Sequence, residues 1–173
     1  MNNRAILIID MLNDFVREGG ALYIGDAVRK IIPVIAGVVA DARSKKWPIF
    51  YICDQHRPDD LEFKMFPPHC IIGSEGAKVC DELKPSDQDL IIPKRRYSGF
   101  YGTELDLALR EREIEEIILV GVCTNICVLY TAADACMRNY KVMVVRDGVA
   151  SFDEAAHNFA LTEMEKTLGV AII

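Results

Sequence analysis

Short apolar runs alternate with amphipathic stretches along the whole length of this 173-residue chain. Runs rich in Val, Ile and Leu predict six strands, at Ala5–Ile9, Pro48–Cys53, Leu90–Pro93, Ile117–Val122, Lys141–Val145 and Val170–Ile173. Apolar positions at helical spacing predict helices at Ala27–Ser44, Glu75–Leu83, Thr103–Glu113, Asn125–Asn139 and Glu154–Leu168. Near-continuous apolar strands separated by helices are typical of a parallel sheet that is covered on both faces. We therefore expect one doubly wound, three-layer α/β/α domain over residues 1–173, with a six-stranded, mostly parallel sheet.

The stretch Ile117–Cys127 organises this pattern, because a buried strand runs directly into a sharp turn and then a helix. Gly121 and the small polar pair Thr124 and Asn125 lie where the backbone must change direction. Cys127 falls in the first turn of the predicted helix, where the positive end of the helix dipole favours thiolate over thiol. The pattern makes Cys127 the candidate nucleophile.

Charge and composition exclude several classes of partner. The net charge of −6 gives no long-range attraction for phosphates, so we expect neither nucleic acid nor an anionic membrane surface as a partner. The basic cluster is only three residues long, and we expect Lys94 to face the site and Arg95 and Arg96 to face solvent or another subunit.

Neither a signal-peptide core nor an apolar run of transmembrane length is found, which predicts a cytoplasmic protein. The six cysteines include no Cys-x-x-Cys pair, and a domain of this size does not need disulfides. We therefore expect reduced thiols, most of them small core residues.

Chemically active residues follow four of the six predicted strands. In an open parallel sheet, ligands bind beyond the carboxyl ends of the strands, near the point where the strand order reverses. A thiol attacks a carbonyl as thiolate, and Asp10 could accept its proton while the cation of Lys94 keeps both groups charged. Asp10, Lys94 and Cys127 therefore form a candidate nucleophilic triad, although each residue alone could serve a turn or an ion pair.

A candidate metal site follows the second strand. Asp54 and His56 leave the same face of an extended backbone, and His69 could return to them because two prolines stiffen its approach. Glu62 lies on the loop between and could supply a fourth ligand. Carboxylate and imidazole with open positions suit a catalytic zinc, manganese or iron ion, although a loop histidine is more often a surface residue.

Other candidates have two readings that the sequence alone leaves open. The aromatic residues Phe15, Phe66, Tyr97 and Phe100 flank the candidate site in sequence, and they could stack on a flat substrate or pack in the core. His157 fits the packed surface of its helix better than a Cys-His dyad with Cys127.

Five motifs in order resemble the isochorismatase-like cysteine hydrolases, and within them the nicotinamidase/pyrazinamidase branch, over essentially the full length. The motifs are Ile8-Ile9-Asp10-Met11-Leu12-Asn13-Asp14-Phe15, Asp54-Gln55-His56, Phe66-Pro67-Pro68-His69-Cys70 with Gly73-Ser74-Glu75-Gly76, Lys94 with Tyr97-Ser98-Gly99-Phe100, and Val120-Gly121-Val122-Cys123-Thr124-Asn125-Ile126-Cys127.

The resemblance implies roles for these positions. It implies that Asp10, Lys94 and Cys127 are the catalytic triad, that the amides of Cys123 and Cys127 form the oxyanion hole, and that the Val122–Cys123 peptide is cis. It also implies that Asp54, His56 and His69, joined in some members by Glu62, hold a metal ion that binds a pyridine nitrogen. The substrate pocket is expected to contain Phe15, Phe66, Tyr97 and Val122.

The expected function is therefore that of a metal-dependent cysteine amidase of NAD metabolism, which hydrolyses nicotinamide, and also pyrazinamide, through a thioester. Zinc is the expected ion, with manganese and iron as alternatives, and the resemblance implies a homo-oligomer. Leu12 and Asn125 depart from the usual pattern, and Thr-Asn-x-Cys also occurs in relatives that cleave carbamoyl or ureido groups. N-carbamoylsarcosine, ureidoacrylate or another small amide is thus an alternative substrate, and a non-catalytic metal-binding protein of the same fold is a third reading.

Overall fold

The computed structural model describes residues 3–173 and contains a six-stranded sheet with the strand order β3-β2-β1-β4-β5-β6. The strands are β1 (Arg4–Ile9), β2 (Ile49–Asp54), β3 (Leu90–Lys94), β4 (Glu116–Val122), β5 (Lys141–Ala150) and β6 (Ala171–Ile172). The helices are α1 (Asn13–Val16), α2 (Ala27–Ser44), α3 (Leu105–Arg110), α4 (Leu129–Met137) and α5 (Glu154–Lys166). All five strand pairs are parallel, so the predicted α/β architecture is confirmed and its sheet is wholly parallel.

The alternation of side chains along β1 shows how the two faces of the sheet are covered. Ile6 and Ile8 pack into the apolar cluster that includes the buried face of α2. Leu7 and Ile9 point the other way, into the cluster that contains buried residues of α3, α4 and α5. A strand buried on both faces has no polar alternation, which explains the continuous apolar runs of the sequence.

Helix α2 illustrates how an amphipathic helix closes one face. Its buried residues are Val28, Ile31, Ile35, Val39 and Ala42, which recur at helical spacing. The opposite side of α2 is exposed and carries charged residues near both ends of the helix. Across residues 3–173, no helix has both the length and the apolar character that crossing a membrane requires.

The strand order places a topological switch point between β1 and β4. The chain builds outward from β1 through β2 to β3, then returns to β4 on the other side of β1. Crevices for ligands form at such points, beyond the carboxyl ends of the strands. Ile9 pairs with Gly121 at this position, so the segments that follow β1 and β4 begin side by side.

Gly121 permits that close approach. Its φ is +114°, and a Cβ atom at this position would lie 2.0 Å from the carbonyl oxygen of Ile9. The pairing of β4 with β5 also shifts register between Leu119 and Gly121. A side chain at position 121 would therefore force β4 away from β1.

The predicted helix at Glu75–Leu83 is wrong. The backbone here bonds to the segment after β1: Asn13 N donates to Lys78 O, and Cys80 N donates to Met11 O. Only Asp81–Leu83 forms a single 3₁₀ turn. These bonds to a distant segment replace the local bonds that a helix would need.

Other elements also differ from the prediction. Strand β5 continues to Ala150 instead of ending at Val145, with a register shift near its middle. A short helix, α1, follows β1 and was not predicted. Strand β3 lies at the edge of the sheet and has only β2 as a neighbour. Pro93 is tolerated there because no second strand needs a hydrogen bond from its missing N–H group.

Candidate active site

The segments after β1 and β4 bring Asp10 and Cys127 into one buried cleft. Asp10 directly follows β1, and Cys123 directly follows β4. The Val122–Cys123 peptide bond is cis, as the resemblance implies. Carboxylate oxygens of Asp10 and Asp54 and the sulfur of Cys127 all lie within 4.8 Å of one another.

Cys127 lies in a π-helical turn, Thr124–Val128, that precedes α4. The amides of Ile126 and Val128 both donate to the carbonyl of Cys123, which ties this turn to the end of β4. The side chain of Cys127 is 6% exposed and faces a cavity. Burial raises the pKa of the Cys127 thiol well above its ordinary value, despite the opposing effect of Lys94. The thiolate that we expected from helix position alone therefore needs a proton acceptor.

Lys94 supplies the positive charge at the centre of the cleft. It is the last residue of β3, and its side chain is fully buried. Its Nζ atom lies 2.8 Å from Asp10 Oδ2 and 3.4 Å from Cys127 Sγ, and it donates a short hydrogen bond to Asp54 Oδ1. Burial opposes the ammonium form, but the Asp10 and Asp54 carboxylates outweigh burial and raise the pKa of Lys94. The ammonium therefore stays charged and holds both carboxylates and the sulfur together.

Asp10 is held in a geometry suited to proton transfer. Its backbone has a φ of +51°, in the left-handed region, and its Oδ1 accepts a hydrogen bond of 2.8 Å from the amide of Asp54. Burial, and then the charge of Asp54, raise the pKa of Asp10 to about 6, although Lys94 opposes them. A carboxyl group with this pKa is ionised at neutral pH and returns a proton more readily than an ordinary aspartate.

Asp54, His56 and His69 form a buried cluster beside this centre. Their ligand atoms lie within 4.8 Å of one another, and Asp54 Oδ2 is 3.6 Å from His56 Nε2 and 3.7 Å from His69 Nε2. Burial opposes ionisation of Asp54, but Lys94 and both imidazoles hold the pKa of Asp54 below its usual range. Two imidazoles and one ionised carboxylate are a donor set that divalent transition metals prefer.

The hydrogen bonds of the two imidazoles leave their Nε2 atoms directed at this cluster. His56 Nδ1 lies 3.1 Å from Asp60 Oδ2, and His69 Nδ1 lies 2.8 Å from the carbonyl oxygen of Pro67. Since both oxygens can only accept, each imidazole donates from Nδ1. His56 Nε2 is buried and finds no hydrogen-bond partner among residues 3–173. These residues therefore fit a metal ion, which would satisfy that nitrogen.

Glu62 lies at the margin of this cluster. It belongs to the 3₁₀ turn Leu61–Lys64, and its Oε1 atom is 4.0 Å from His56 Nε2. Burial and the charge of Asp54 raise the pKa of Glu62. Glu62 is thus close enough to support a metal site without belonging to the tighter three-residue cluster.

A cavity of about 340 Å³, open solvent included, joins the nucleophile to the metal cluster. Its lining is mostly apolar and contains no Lys or Arg: Phe15, Leu22, Asp54, Glu62, Phe66, His69, Tyr97, Cys123, Ile126, Cys127 and Phe152. Three of the four residues expected in the substrate pocket are among them. The fourth, Val122, is absent from the lining because its side chain is fully buried in the cluster beneath α2.

Several residues of the site were not identified from the sequence. We expected Arg96 to face solvent or a subunit, but its Nη1 atom lies 3.0 Å from Oδ1 of Asp60. Asp60 in turn contacts His56, so Arg96 acts on the candidate metal site through Asp60. Phe152 lies two residues beyond the end of β5. The search for functional residues just after each strand missed it because β5 was predicted to end at Val145. No local pattern marks Leu22, which reaches the cavity from the loop after α1.

His157 bonds to the nucleophile turn rather than to the nucleophile. Its Nδ1 atom lies 2.8 Å from the hydroxyl oxygen of Thr124. Within the described part of the chain, it makes no hydrogen bond to Cys127, so the Cys-His dyad lacks support. Burial and Arg146 lower the pKa of His157. His157 therefore packs α5 against the turn as a neutral residue.

Comparisons with known proteins agree with this geometry. A family model described as the isochorismatase domain matches residues 4–173. The chain is similar to the crystal structure of the nicotinamidase/pyrazinamidase PncA from Bacillus subtilis, with 36% identity, 98% of each chain covered and a TM-score of 0.93. It is also similar to the pyrazinamidase of Pyrococcus horikoshii in complex with zinc, with 30% identity, 99% of this chain and 98% of that chain covered and a TM-score of 0.93. The N-carbamoylsarcosine amidase from Thermoplasma acidophilum is 35% identical, with 98% and 94% of the two chains covered and a TM-score of 0.90.

Proposed function

Because the chain belongs to the isochorismatase family, we propose that it is a metal-dependent cysteine amidohydrolase that converts nicotinamide, and also pyrazinamide, to the acid and ammonia. The observation that carries the proposal is the position of Lys94 Nζ, 2.8 Å from Asp10 and 3.4 Å from Cys127, because Cys127 lines the same cavity as Asp54 and His69 of the metal cluster. The nucleophile and two of the three candidate metal ligands thus border the space in which a small molecule would bind.

Cys127 and Asp10 carry the covalent step of the proposed reaction. Asp10 accepts the thiol proton while the sulfur of Cys127 attacks the carboxamide carbon and forms a C–S bond. Asp10 then returns the proton to the nitrogen, the C–N bond breaks and ammonia leaves. A water molecule then attacks the thioester carbon while Asp10 accepts its proton, the C–S bond breaks and the acid leaves. Asp10 finally returns that proton to the sulfur of Cys127. Lys94 stays protonated and offsets the negative charge of Asp10 and of the sulfur throughout.

The backbone amides of Cys123 and Cys127 are the proposed donors to the oxyanion. Both residues line the cavity, and the bonds from Ile126 and Val128 to the carbonyl of Cys123 fix the turn between them. A preorganised donor of this kind is commonly worth about 3 kcal/mol in the transition state.

Asp54, His56 and His69 are the proposed metal ligands, with Glu62 beside them. Zinc is our first choice because one structural neighbour is a zinc complex, and manganese or iron suits the same donors. When bound, the ion supplies a Lewis acid that orients a ring nitrogen of the substrate. Carboxylates and imidazoles bind a metal only when deprotonated, so Nε2 of His56 is the place where protons and metal compete.

The charge of the cavity favours a neutral aromatic amide over the alternative substrates. N-carbamoylsarcosine and ureidoacrylate both carry a carboxylate, whereas nicotinamide and pyrazinamide are uncharged. The lining contains Asp54 and Glu62 but no Lys or Arg, and the ammonium of Lys94 is already paired with Asp10 and Asp54. A carboxylate-bearing substrate would therefore find no unpaired cation among the described residues that line this cavity. Phe15 and Phe66 offer faces or edges for a flat ring.

Ammonia release from nicotinamide, pyrazinamide, N-carbamoylsarcosine and ureidoacrylate tests the proposal. We expect turnover of the two aromatic amides, loss of turnover in Cys127→Ala, and loss on chelation that zinc or manganese reverses. Equal rates in the wild type and Cys127→Ala would refute the assignment of the nucleophile. Faster turnover of N-carbamoylsarcosine would favour the activity named for the Thermoplasma neighbour instead.

Thiol reactivity separates an enzyme from a non-catalytic metal-binding protein of the same fold. Cys127 lines the cavity, whereas Cys53, Cys70 and Cys80 are sealed in the core. Alkylation by iodoacetamide should therefore be fastest at Cys127 of the buried cysteines, as located by peptide mass spectrometry. An unreactive Cys127 together with absent amide turnover would favour the non-catalytic reading.

We also propose that the enzyme works as a homo-oligomer in the cytoplasm, within NAD metabolism. All six cysteines are free thiols, which fits a reducing compartment. Tyr101, Tyr130 and Met137 are exposed apolar side chains that a contact between subunits would bury. Light scattering after size exclusion would give the oligomeric state directly.

A further inference from the structure

The loop after β2 carries a carboxylate that contacts two groups of the proposed metal site. Asp60 has a side chain that is only 3% exposed, and its Oδ2 atom lies 3.1 Å from Nδ1 of His56. Its Oδ1 atom accepts a 3.0 Å hydrogen bond from the backbone amide of Glu62 and so caps the 3₁₀ turn Leu61–Lys64. One side chain thus fixes both an imidazole and the turn that carries Glu62.

Arg96 balances the charge of Asp60 from the segment after β3. Its Nη1 atom lies 3.0 Å from Oδ1 and 3.3 Å from Oδ2 of Asp60, and 3.9 Å from Oε2 of Glu62. The Arg96 side chain is 42% exposed, so it covers the outer side of a carboxylate that is otherwise buried. This contact also links the loop after β2 to the strand that ends in Lys94.

We infer that Asp60 is a positioning residue of the metal site, which selects the tautomer of His56 and places Glu62, and that Arg96 holds Asp60 in this position. The inference rests on the proposed function, since it assumes that Asp54, His56 and His69 bind a divalent ion. A carboxylate can only accept a hydrogen bond, so a neutral His56 must carry its proton on Nδ1 and present the lone pair of Nε2 to the ion. Without Asp60, the proton of the neutral imidazole can move to Nε2, and Nε2 can then no longer bind the metal ion.

Phe63 offers a contrast within the same turn. Its ring centre is 5.4 Å from that of His56 and 5.6 Å from that of His69. Phe63 therefore contributes packing to both imidazoles but no hydrogen bond. Replacing Phe63 with Leu removes aromatic contacts and leaves the tautomer of His56 under the control of Asp60.

Asp60→Asn is the decisive variant, and Asp59→Asn is its matched control. Glu62 N and Arg96 Nη1 both donate to Oδ1 of Asp60, so the oxygen of an amide side chain stays on that side and its N–H group faces Nδ1 of His56. That N–H group can only donate, so a neutral imidazole must then carry its proton on Nε2. Asp59 is exposed on the same loop and undergoes the same change of charge. Zinc affinity of the metal-free protein, measured by competition with a chromogenic chelator, should fall 10–100-fold in Asp60→Asn and stay at the wild-type value in Asp59→Asn.

A tautomer measurement distinguishes this role from a merely structural one. The chain has only three histidines, so two-bond ¹H–¹⁵N spectra of the metal-free protein resolve each ring at a pH where the imidazoles are neutral. We expect His56 to be protonated at Nδ1 in the wild type and in Phe63→Leu, and at Nε2 in Asp60→Asn. Arg96→Gln should weaken zinc binding at most about fivefold, because its ion pair is partly exposed, and Arg95→Gln should not change it.

The outcomes separate this inference from the proposed function. Equal zinc affinity in Asp60→Asn and Asp59→Asn, or an unchanged His56 tautomer in Asp60→Asn, would overturn the role of Asp60 while leaving the metal site intact. A wild-type protein that binds no zinc, manganese or iron would overturn the metal site, and the role of Asp60 with it.

Discussion

Lys94→Met removes the ammonium at the centre of the cleft and keeps a side chain of similar length. The carboxylates of Asp10 and Asp54 then remain buried with oxygens within 4.8 Å of each other and no cation between them. We expect the metal-free variant to lose much of its stability at slightly alkaline pH, and to regain part of it on acidification.

The size of this effect follows from the geometry. Two unit charges 4.8 Å apart repel by about 3.5 kcal/mol at an effective dielectric constant of about 20. Breaking a buried ion pair by removing one partner typically costs about 3–5 kcal/mol, which is the same range. The free energy of unfolding of Lys94→Met should therefore fall by about 3–5 kcal/mol at pH 8.

The pH dependence has a definite sign. Lys94 lowers the pKa of Asp10, which is nevertheless raised to about 6 from an ordinary value of 3.8, so its removal moves that pKa above 6. A carboxyl group whose pKa is higher in the folded than in the unfolded state stabilises the fold in its protonated form, and this stability is gained as pH falls through the folded pKa. As the pH falls from the pKa of Asp10 in the variant to about pH 6, the difference in the free energy of unfolding between wild type and variant should shrink by about 1.4 kcal/mol per pH unit.

Urea unfolding in the presence of a chelator measures this gap. Lys30→Met is the matched control, because Lys30 is exposed on α2 and its loss should change stability by less than about 0.5 kcal/mol. Adding Asp10→Asn to Lys94→Met removes one of the repelling charges and should recover most of the loss. A gap below 1 kcal/mol at pH 8, or one that stays constant down to pH 6, would refute the reasoning.

Three further predictions concern the fold and the chemistry. Gly121→Ala should cost about 3 kcal/mol or more in urea unfolding, because its Cβ would lie 2.0 Å from the carbonyl oxygen of Ile9 and its φ is +114°; a change below 1 kcal/mol would contradict this. Asp153→Ala should cost about 1 kcal/mol, because Asp153 accepts a hydrogen bond from the amide of Ala156 at the start of α5, and an unchanged urea midpoint would argue against that cap. The kcat/KM for nicotinamide should fall tenfold per pH unit below the pKa of Asp10, which is about 6 without metal and lower with a bound cation, since only the carboxylate accepts the thiol proton; a profile that rises toward acid pH would exclude this role.

The sheet and the strand-end chemistry could be predicted because both depend on local patterns. The apolar runs around Ile8 and Val120 are buried on both faces of the sheet, so their composition alone identified parallel strands. Parallel strands bring their carboxyl ends to one edge, and this geometric rule was enough to suggest that Asp10, Lys94 and Cys127 meet. Their distances, and the balance of charge that sets the pKa of Asp10, needed coordinates.

The features that the sequence did not predict depend on contacts between segments that are distant along the chain. Such contacts produce no periodic pattern in the sequence. The segment 75–83 looked helical, but bonds to Asn13 and Met11 take up its backbone groups. Arg96 looked like a surface residue because nothing in the sequence shows that Asp60 folds back beneath it. Helix position suggested an ionised Cys127, whereas burial, which only the tertiary structure reveals, acts in the opposite direction and is larger.

The position of Lys94 on β3 puts the central charge of the proposed active site on an edge strand of the sheet. An outermost strand has one hydrogen-bonded neighbour, and Pro93 removes a donor just before the lysine. Local opening of an edge strand requires less free energy than global unfolding, so we expect β3 to open and Lys94 to leave the cleft while most of the molecule stays folded. On heating, activity should therefore be lost at a lower temperature than the one at which the whole protein unfolds. The ion pairs of Lys94 with Asp10 and Asp54 should raise the temperature at which activity is lost.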